Sequence, residues 1–298
     1  MHFSLLYIEY IHIIFCKNGL MMKKLPTKKR TVRPKSGSSD ESSSRERLGQ
    51  AQMLMFEAWE EPNDNKAITL AKKALKLSED CADAHSFLAE YVAPNRRRDV
   101  LEKAVLAGER ALGEEAFESM RGEFWGWLET RPYMRALEAL GSWYENIAYD
   151  FDEAVSLYRK MLDLNPNDNQ GVRYGLLPLL IVQGRDEEAE SLYKQYDEDA
   201  SAIWAYSRVL LDFRKHGRKG SVATASVRDA LKINPYTPDY LIGKKNMPDE
   251  LPPYYSHGSE DEAILCADTC RMAWGVTPGA ISWLRENIQI INPCNMVD

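Results

Sequence analysis

Small residues recur along this chain about every 34 to 35 positions, and this period constrains the fold more than any other feature. Ala154, Tyr158 and Met161 precede Pro166, and Ala189, Tyr193 and Tyr196 follow at an offset of 35. Ala223, Val227, Ala230 and Pro235 lie 69 residues after Ala154, Tyr158, Met161 and Pro166, which is two steps of the same period. Upstream, Ala67, Ala71 and Ala74 recur 33 residues later as Val100, Ala104 and Ala107. Steps of four and three place each set on one stripe of a helix, where small side chains let a neighbouring helix approach closely. An apolar-periodic segment precedes each stripe: "CADAHSFLAEYV", "YMRALEALGSWYENI", "GVRYGLLPLLIVQG" and "AIWAYSRVLLDFRKHG". Each unit therefore reads as helix, turn, helix, and a single pair of this size buries its apolar face only by stacking on its neighbours.

In the clearest unit Leu137, Leu140, Gly141 and Tyr144 are followed by Ala154, Tyr158 and Pro166. Their order and near-spacing resemble the tetratricopeptide signature. The step from Gly141 to Ala154 is one residue too long, which reads as an insertion between the two helices. The predicted fold is all-α: a right-handed superhelical solenoid of about four to five tetratricopeptide-like repeats with a C-terminal helical cap.

"NPNDNQGVRY", residues 165–174, tests whether that solenoid also binds metal. Asn165, Asn167 and Asn169 mimic alternate ligands of a calcium loop, but the Gly comes one position late and Leu176 stands where a bidentate Glu is required. One carboxylate, Asp168, supplies too little charge. Pro166 ends one helix, Asn167 or Asp168 is placed to cap the next, and the stretch reads as a turn.

The array is predicted over 49–235. Residues 113–131, rich in aromatics (Phe117, Phe124, Trp125, Trp127), form an insertion whose rings fill the stack where the repeat breaks. Thr130 before Pro132 marks the start of the next helix. Residues 236–258 are a Pro-rich linker packed on the array, and 259–287 form the cap, with 288–298 as a tail. Ser259 and Glu262 have the S-x-x-E spacing of a capping box, which accounts for the letters His257, Ser259 and Asp261 better than catalysis does. Trp274 and Trp283 are expected to close the end of the stack.

Residues 1–48 are predicted to be a disordered leader. Within it, "FSLLYIEYIHIIFC" has no basic residue before it, as a secretory signal requires, and falls short of the roughly 20 apolar residues of a spanning helix. "MMKKL" follows directly and resembles a cytosolic start, so the reading begins translation at Met21 or Met22. Residues 22–48 carry nine Lys or Arg against three acids, and since residues 1–21 balance, a total charge of −7 leaves −13 on residues 49–298. An acidic body repels phosphate and argues against nucleic acid as its ligand. The five cysteines are scattered, with no CxxC and no His at zinc spacing, so free thiols in a reducing compartment are expected.

Two stretches carry a further resemblance: "CADAHSFLAEYVAPNRRRDVLEKAVLAGE" and "INPYTPDYLIGKKNMPDELPPYYSHGSEDEAILCADTCRMAWGVTPGAISWL". Asn234, Pro235, Pro238, Tyr240 and Leu241, then Pro252, Glu262, Ala263, Ile264, Trp274, Gly279, Ala280 and Leu284, resemble the suppressor-of-tumorigenicity-seven family, in the form of its bacterial-type tetratricopeptide-like relatives. The resemblance covers roughly residues 50–285 and implies a helical repeat scaffold without enzymatic activity. Eukaryotic members of that family have membrane-spanning segments, and no segment of adequate length stands here.

The functional expectation is a non-catalytic scaffold or adaptor in the cytoplasm that binds a protein or peptide partner in a groove lined by the first helix of each unit. Arg135, Glu138, Gln170, Arg173 and Trp204 are the candidate groove residues, with the Arg forks suited to an acidic or carboxylate-bearing segment. No metal, cofactor or catalytic residue is assigned. Phosphate-binding glycine loops, G-x-S-x-G and HExxH are all missing from the sequence. The alternatives are an enzyme of unrecognised type and an adaptor tethered to a membrane through residues 3–16.

Overall fold

The computed structural model describes residues 39–291, and the expectations for residues 1–38 and 292–298 lie outside them. The described residues are all-α, with thirteen α-helices and no strand. They fall into two compact units, one ending at Gln170 and the other starting at Gly171.

The first unit holds α1 (Ser39–Glu60), α2 (Asp64–Leu77), α3 (Ala82–Ala89), α4 (Pro94–Ser119), α5 (Arg131–Trp143) and α6 (Phe151–Leu164). Successive helices pack as the pairs α1 with α2, α3 with α4 and α5 with α6. The predicted stripes form the seams. Ala67, Ala71 and Ala74 of α2 meet Ala51, Met55 and Ala58 of α1 in one buried cluster, and Ala104, Ala107, Ala154, Tyr158 and Met161 are buried in their turn. α1 starts at Ser39, so residues 39–48, assigned above to a disordered leader, are helical. Their polarity identified a segment with little apolar surface to bury. It did not exclude a helix that extends outward from a packed half beginning near Leu48.

The excess residue between Gly141 and Ala154 is absorbed inside the helix, not in the turn after it. α5 ends in a π-helical turn, Tyr144–Ala148. Its i→i+5 pattern takes up the extra position. Tyr149 then adopts a left-handed φ of 54°, and the Asp150 carboxylate caps α6 by accepting the Glu153 N–H. Gly141 is needed for packing: a Cβ there would lie 2.7 Å from Cε1 of Tyr158.

The predicted insertion is built on α4, which turns at Gly113 (φ 68°) and leads to a 3-10 turn at Phe124–Gly126. Phe124 is fully buried, with ring centroids 5.3 Å from Phe117 and 6.4 Å from Tyr133, so it is a core filler. The Thr130 hydroxyl donates to the carbonyls of Phe124 and Trp127, holding the chain as it enters α5.

The second unit holds α7 (Arg173–Val182), α8 (Asp186–Gln195), α9 (Ala202–His216), α10 (Ser221–Ile233), α11 (Thr237–Leu241), α12 (Glu260–Val276) and α13 (Ala280–Ile291). α7 pairs with α8 and α9 with α10. The short helix α11 lies inside the stretch read as a Pro-rich linker, with Pro238 at its start and Leu241 buried. α13 packs on α10 and α11 and closes that end. Trp283 brings its ring centroid to 4.7 Å from Phe213 and donates from Nε1 to the Arg218 carbonyl.

Residues 165–171 do form a turn. Asp168 takes a left-handed φ of 46° and Gly171 one of 76°, and Asn165 Nδ2 donates to Asn169 Oδ1. α7 begins after Val172, which has no side-chain cap. The two left-handed residues turn the chain by backbone conformation.

Candidate functional site

In the first unit, the first helix of each pair contributes to one polar cluster. Arg135 of α5 reaches Asp83 of α3 with both arms of its guanidinium, Nε at 2.8 Å from Oδ1 and Nη2 at 2.5 Å from Oδ2. Gln52 of α1 donates to the same carboxylate at 2.7 Å. Asp83 is buried as N2 of a short helix and is satisfied by three donors, which is how a carboxylate tolerates that position. The guanidinium carbon of Arg135 also lies 5.2 Å from the centroid of the Trp59 indole on α1.

Trp59 belongs to an apolar row. Met53 (59% exposed), Phe56 (47%) and Trp59 (41%) lie on α1 outside the buried seam of Ala51, Met55 and Ala58. Phe56 and Trp59 stand 5.7 Å apart between centroids. The 52, 56, 59 spacing keeps Gln52, Phe56 and Trp59 on one face, so the row adjoins the Asp83–Arg135 cluster.

Glu138 and Gln170 are brought together, Gln170 Nε2 donating to Glu138 Oε2. Both are buried. Burial pushes the Glu138 carboxyl up to about 8, the Gln170 hydrogen bond opposes this, Asp168 adds to it and Arg135 reduces it.

Arg173 and Trp204 lie in the second unit. Arg173 donates from Nε to Asp199 at 2.9 Å, and its guanidinium carbon sits 4.2 Å from the Tyr174 ring centroid and 5.2 Å from that of Tyr196. Trp204 is fully buried beneath these rings, stacked on Tyr193 at 5.8 Å and meeting Tyr174 and Tyr196 edge-on. It supports the aromatic layer from below. Burial raises the Asp199 carboxyl, but hydrogen bonds from Ser201, Tyr174 and Arg173 outweigh it and hold the group below its usual range. A shallow depression of about 340 Å³ opens here, lined by Arg173, Gln195, Tyr196, Asp197, Glu198 and Asp199.

Both Arg forks are thus already matched by carboxylates of their own unit. A segment bearing a carboxylate would have to displace Asp83 or Asp199 to engage them. The exposed aromatic row of α1 was missed in the sequence because Met53, Phe56 and Trp59 share a helix with the buried Met55 and Ala58. Only the i, i+4, i+7 phase of Gln52, Phe56 and Trp59 carries the signal.

The two units treat their first helices differently. In the second unit α12 packs against both α7 and α9, covering the face those first helices make. α12 presents Ala263, Cys266, Ala267, Cys270 and Trp274, all buried. Its start is held by Glu262, which accepts from Ala202 N–H (3.1 Å), Gly258 N–H (2.7 Å) and Asn234 Nδ2 (3.0 Å). Ser259 accepts the Glu262 N–H as N-cap, whereas the returning contact of the expected capping box goes to Gly258. His257 Nδ1 lies 3.2 Å from Glu262, so the letters considered for catalysis make a helix start. Cys81, Cys266 and Cys270 are buried free thiols. Among the described residues no helix is long and apolar enough to cross a membrane, and no group of three His, Cys, Asp or Glu residues could hold a metal ion.

A model of the tetratricopeptide repeat family matches residues 147–205, from the π-turn into α9. Suppressor of tumorigenicity 7 protein-like from Homo sapiens is 26% identical over 256 residues, covering 78% of this chain and 44% of the relative. The proteins of the same name from Bos taurus (26%, 46% of the relative) and Mus musculus (25%, 45% of the relative) match over the same length. The chain spans less than half the length of the curated relatives it matches. With the helix pairs described above, these similarities make the chain a tetratricopeptide-like helical repeat protein resembling the suppressor of tumorigenicity 7-like proteins.

Proposed function

We propose that this protein is a non-catalytic scaffold in the cytoplasm that holds a segment of a partner protein against the first-helix face of its first unit. The observation that carries the reading is the contrast between the units. Where α7 and α9 form such a face, an apolar helix of the same chain covers it. On α1 the corresponding row, Met53, Phe56 and Trp59, stays exposed. Helix pairs of this kind bind amphipathic helices or extended segments through apolar anchors, with polar groups setting register. Phe56 and Trp59 are the anchors, and Arg135, fixed by Asp83, is the polar register. An acidic segment engages Arg135 only in exchange for Asp83, which places apolar complementarity first and charge second. Buried free thiols suit the reducing cytoplasm.

The test is crosslinked affinity purification from the native cell, comparing wild type with a Met53→Glu, Phe56→Glu variant. Both side chains are about half exposed, so the fold and its circular dichroism should be unchanged. The reading expects a specific protein retained by wild type and lost from the variant. Identical sets of retained proteins would refute the proposed face.

A further inference from the structure

The exposed row of α1 has an acidic edge. Glu46, Glu57 and Glu60 lie seven before, four after and seven after Met53, so the four share one stripe of the helix beside Phe56. All three glutamates are exposed, and among the described residues none is held in an ion pair or hydrogen bond. The cations of α1, Arg45 and Arg47, both lie toward its start, and Arg47 donates to Ser43. Arg135, beside Trp59, is matched by Asp83. An occupant of this face therefore needs apolar side chains for Met53 and Phe56 and cations for the glutamates.

The chain carries such a segment. Residues 22–30, "MKKLPTKKR", lie outside the described residues and combine Met22 and Leu25 with five Lys or Arg and no acid. Pro26 opposes a helix, and nine residues in extended form reach about 30 Å. The acidic stripe from Glu46 to Glu60 runs about 21 Å. Residues 31–38 can span about 26 Å, against about 10 Å from Glu46 back to the start of α1 at Ser39, so the segment reaches the stripe running antiparallel to α1. Other occupants fit less well. A second copy would set Glu57 and Glu60 against their own kind, and the apolar run 3–16 brings Glu9 and no Lys or Arg.

We propose that residues 22–30 lie along this face, their lysines on the glutamate stripe and Met22 and Leu25 on Met53 and Phe56, as a cover that a partner segment displaces. The displacement rests on the partner reading above, and the cover does not. A tether this short gives the segment a high effective concentration, which lets surface ion pairs that are weak singly hold it in place.

The test uses the full chain, as an equal mixture of unlabelled and 15N-labelled protein, treated with a carbodiimide that joins a Lys amine to a Glu carboxylate as an amide with loss of water. Peptide mapping by mass spectrometry should find Lys23, Lys24, Lys28 or Lys29 joined to Glu46, Glu57 or Glu60, both halves carrying the same label, and the products should fade at high salt. Mixed labels assign the contact to a second copy and overturn the proposal, as do couplings that fall equally on Glu114, Glu115 and Glu118, exposed glutamates of α4. The Met53 methyl resonance, identified by its loss in Met53→Leu, gives a second readout. It should move in a Lys23→Glu, Lys24→Glu, Lys28→Glu, Lys29→Glu chain, and an unmoved resonance overturns the cover. A face covered about nine-tenths of the time weakens apparent binding about tenfold, so that chain should retain about tenfold more of the partner than wild type in the affinity purification. Equal retention overturns the displacement. Intramolecular couplings with no partner retained by either chain leave the cover standing and refute the partner reading, and a partner retained without couplings does the reverse.

Discussion

Gly141→Ala tests the claim that a glycine in the middle of α5 is there for packing. In an isolated helix the change stabilises by about 1 kcal/mol. Here the new Cβ would sit 2.7 Å from Cε1 and 3.2 Å from Cδ1 of Tyr158, well inside contact distance. The ring has nowhere to go, because Tyr158 is buried and its hydroxyl is held by Glu145 at 2.7 Å. Forcing a methyl into such a contact costs about 1–3 kcal/mol. Part of that is offset by the helix gain, so a net loss of about 1–2 kcal/mol is expected at the upper half of the range. Urea unfolding should show a lower midpoint with an unchanged slope. The same substitution in a Tyr158→Leu background removes the clash and leaves the propensity gain, so there Gly141→Ala should be neutral or stabilising by up to about 1 kcal/mol. If Gly141→Ala stabilises the wild-type chain, the close approach of α5 and α6 is not what holds glycine at this position.

Asp83→Ala should destabilise the first unit by about 2–4 kcal/mol, since it leaves the Arg135 fork and the Gln52 amide without their acceptor in a largely enclosed site; a double Asp83→Ala, Arg135→Met chain should recover much of the loss in denaturant titration. Glu262→Ala strips an acceptor from three donors, Ala202 N–H, Gly258 N–H and Asn234 Nδ2, and limited proteolysis should then open the chain between residues 245 and 258. The Asp199 carboxyl is held below its ordinary value, so its contribution is present above that value and lost as pH falls through the lowered folded one. Exchange at the start of α7 should therefore rise in acid, and Asp199→Asn should remove that dependence. For Glu138 the sign is reversed: its folded value is raised, so stability falls as pH climbs from about 4.5 to about 8 and then levels. Glu138→Gln should flatten that decline in a melting series across the same window.

Local repetition made the helix pairs legible in the sequence. Small residues at steps of four and three can only be seams, and an inserted residue between Gly141 and Ala154 is visible as a break in phase. The turn at 165–171 and the aromatic plug at Phe124 follow from the same logic, since left-handed backbone and large rings each have few places to go. Groove residues were harder to read. Counting around α5 and α7 put Arg135, Glu138, Gln170 and Arg173 toward the expected groove, but the carboxylates that meet the two arginines come from residues 52 positions before Arg135 and 26 after Arg173. Burial of Trp204 depends on three tyrosines from α7, α8 and the chain just after α8 closing over it.

By itself the sequence determined that this chain is a series of antiparallel helix pairs, because periodicity and small-residue spacing act within a few turns of one helix and its neighbour. Only the tertiary structure decided which faces those pairs leave open. Whether a first helix is covered depends on a segment that returns from far along the chain, as α12 does to α7 and α9. No local pattern records that return, since its energy comes from apolar surface shared between residues some 60 to 90 positions apart.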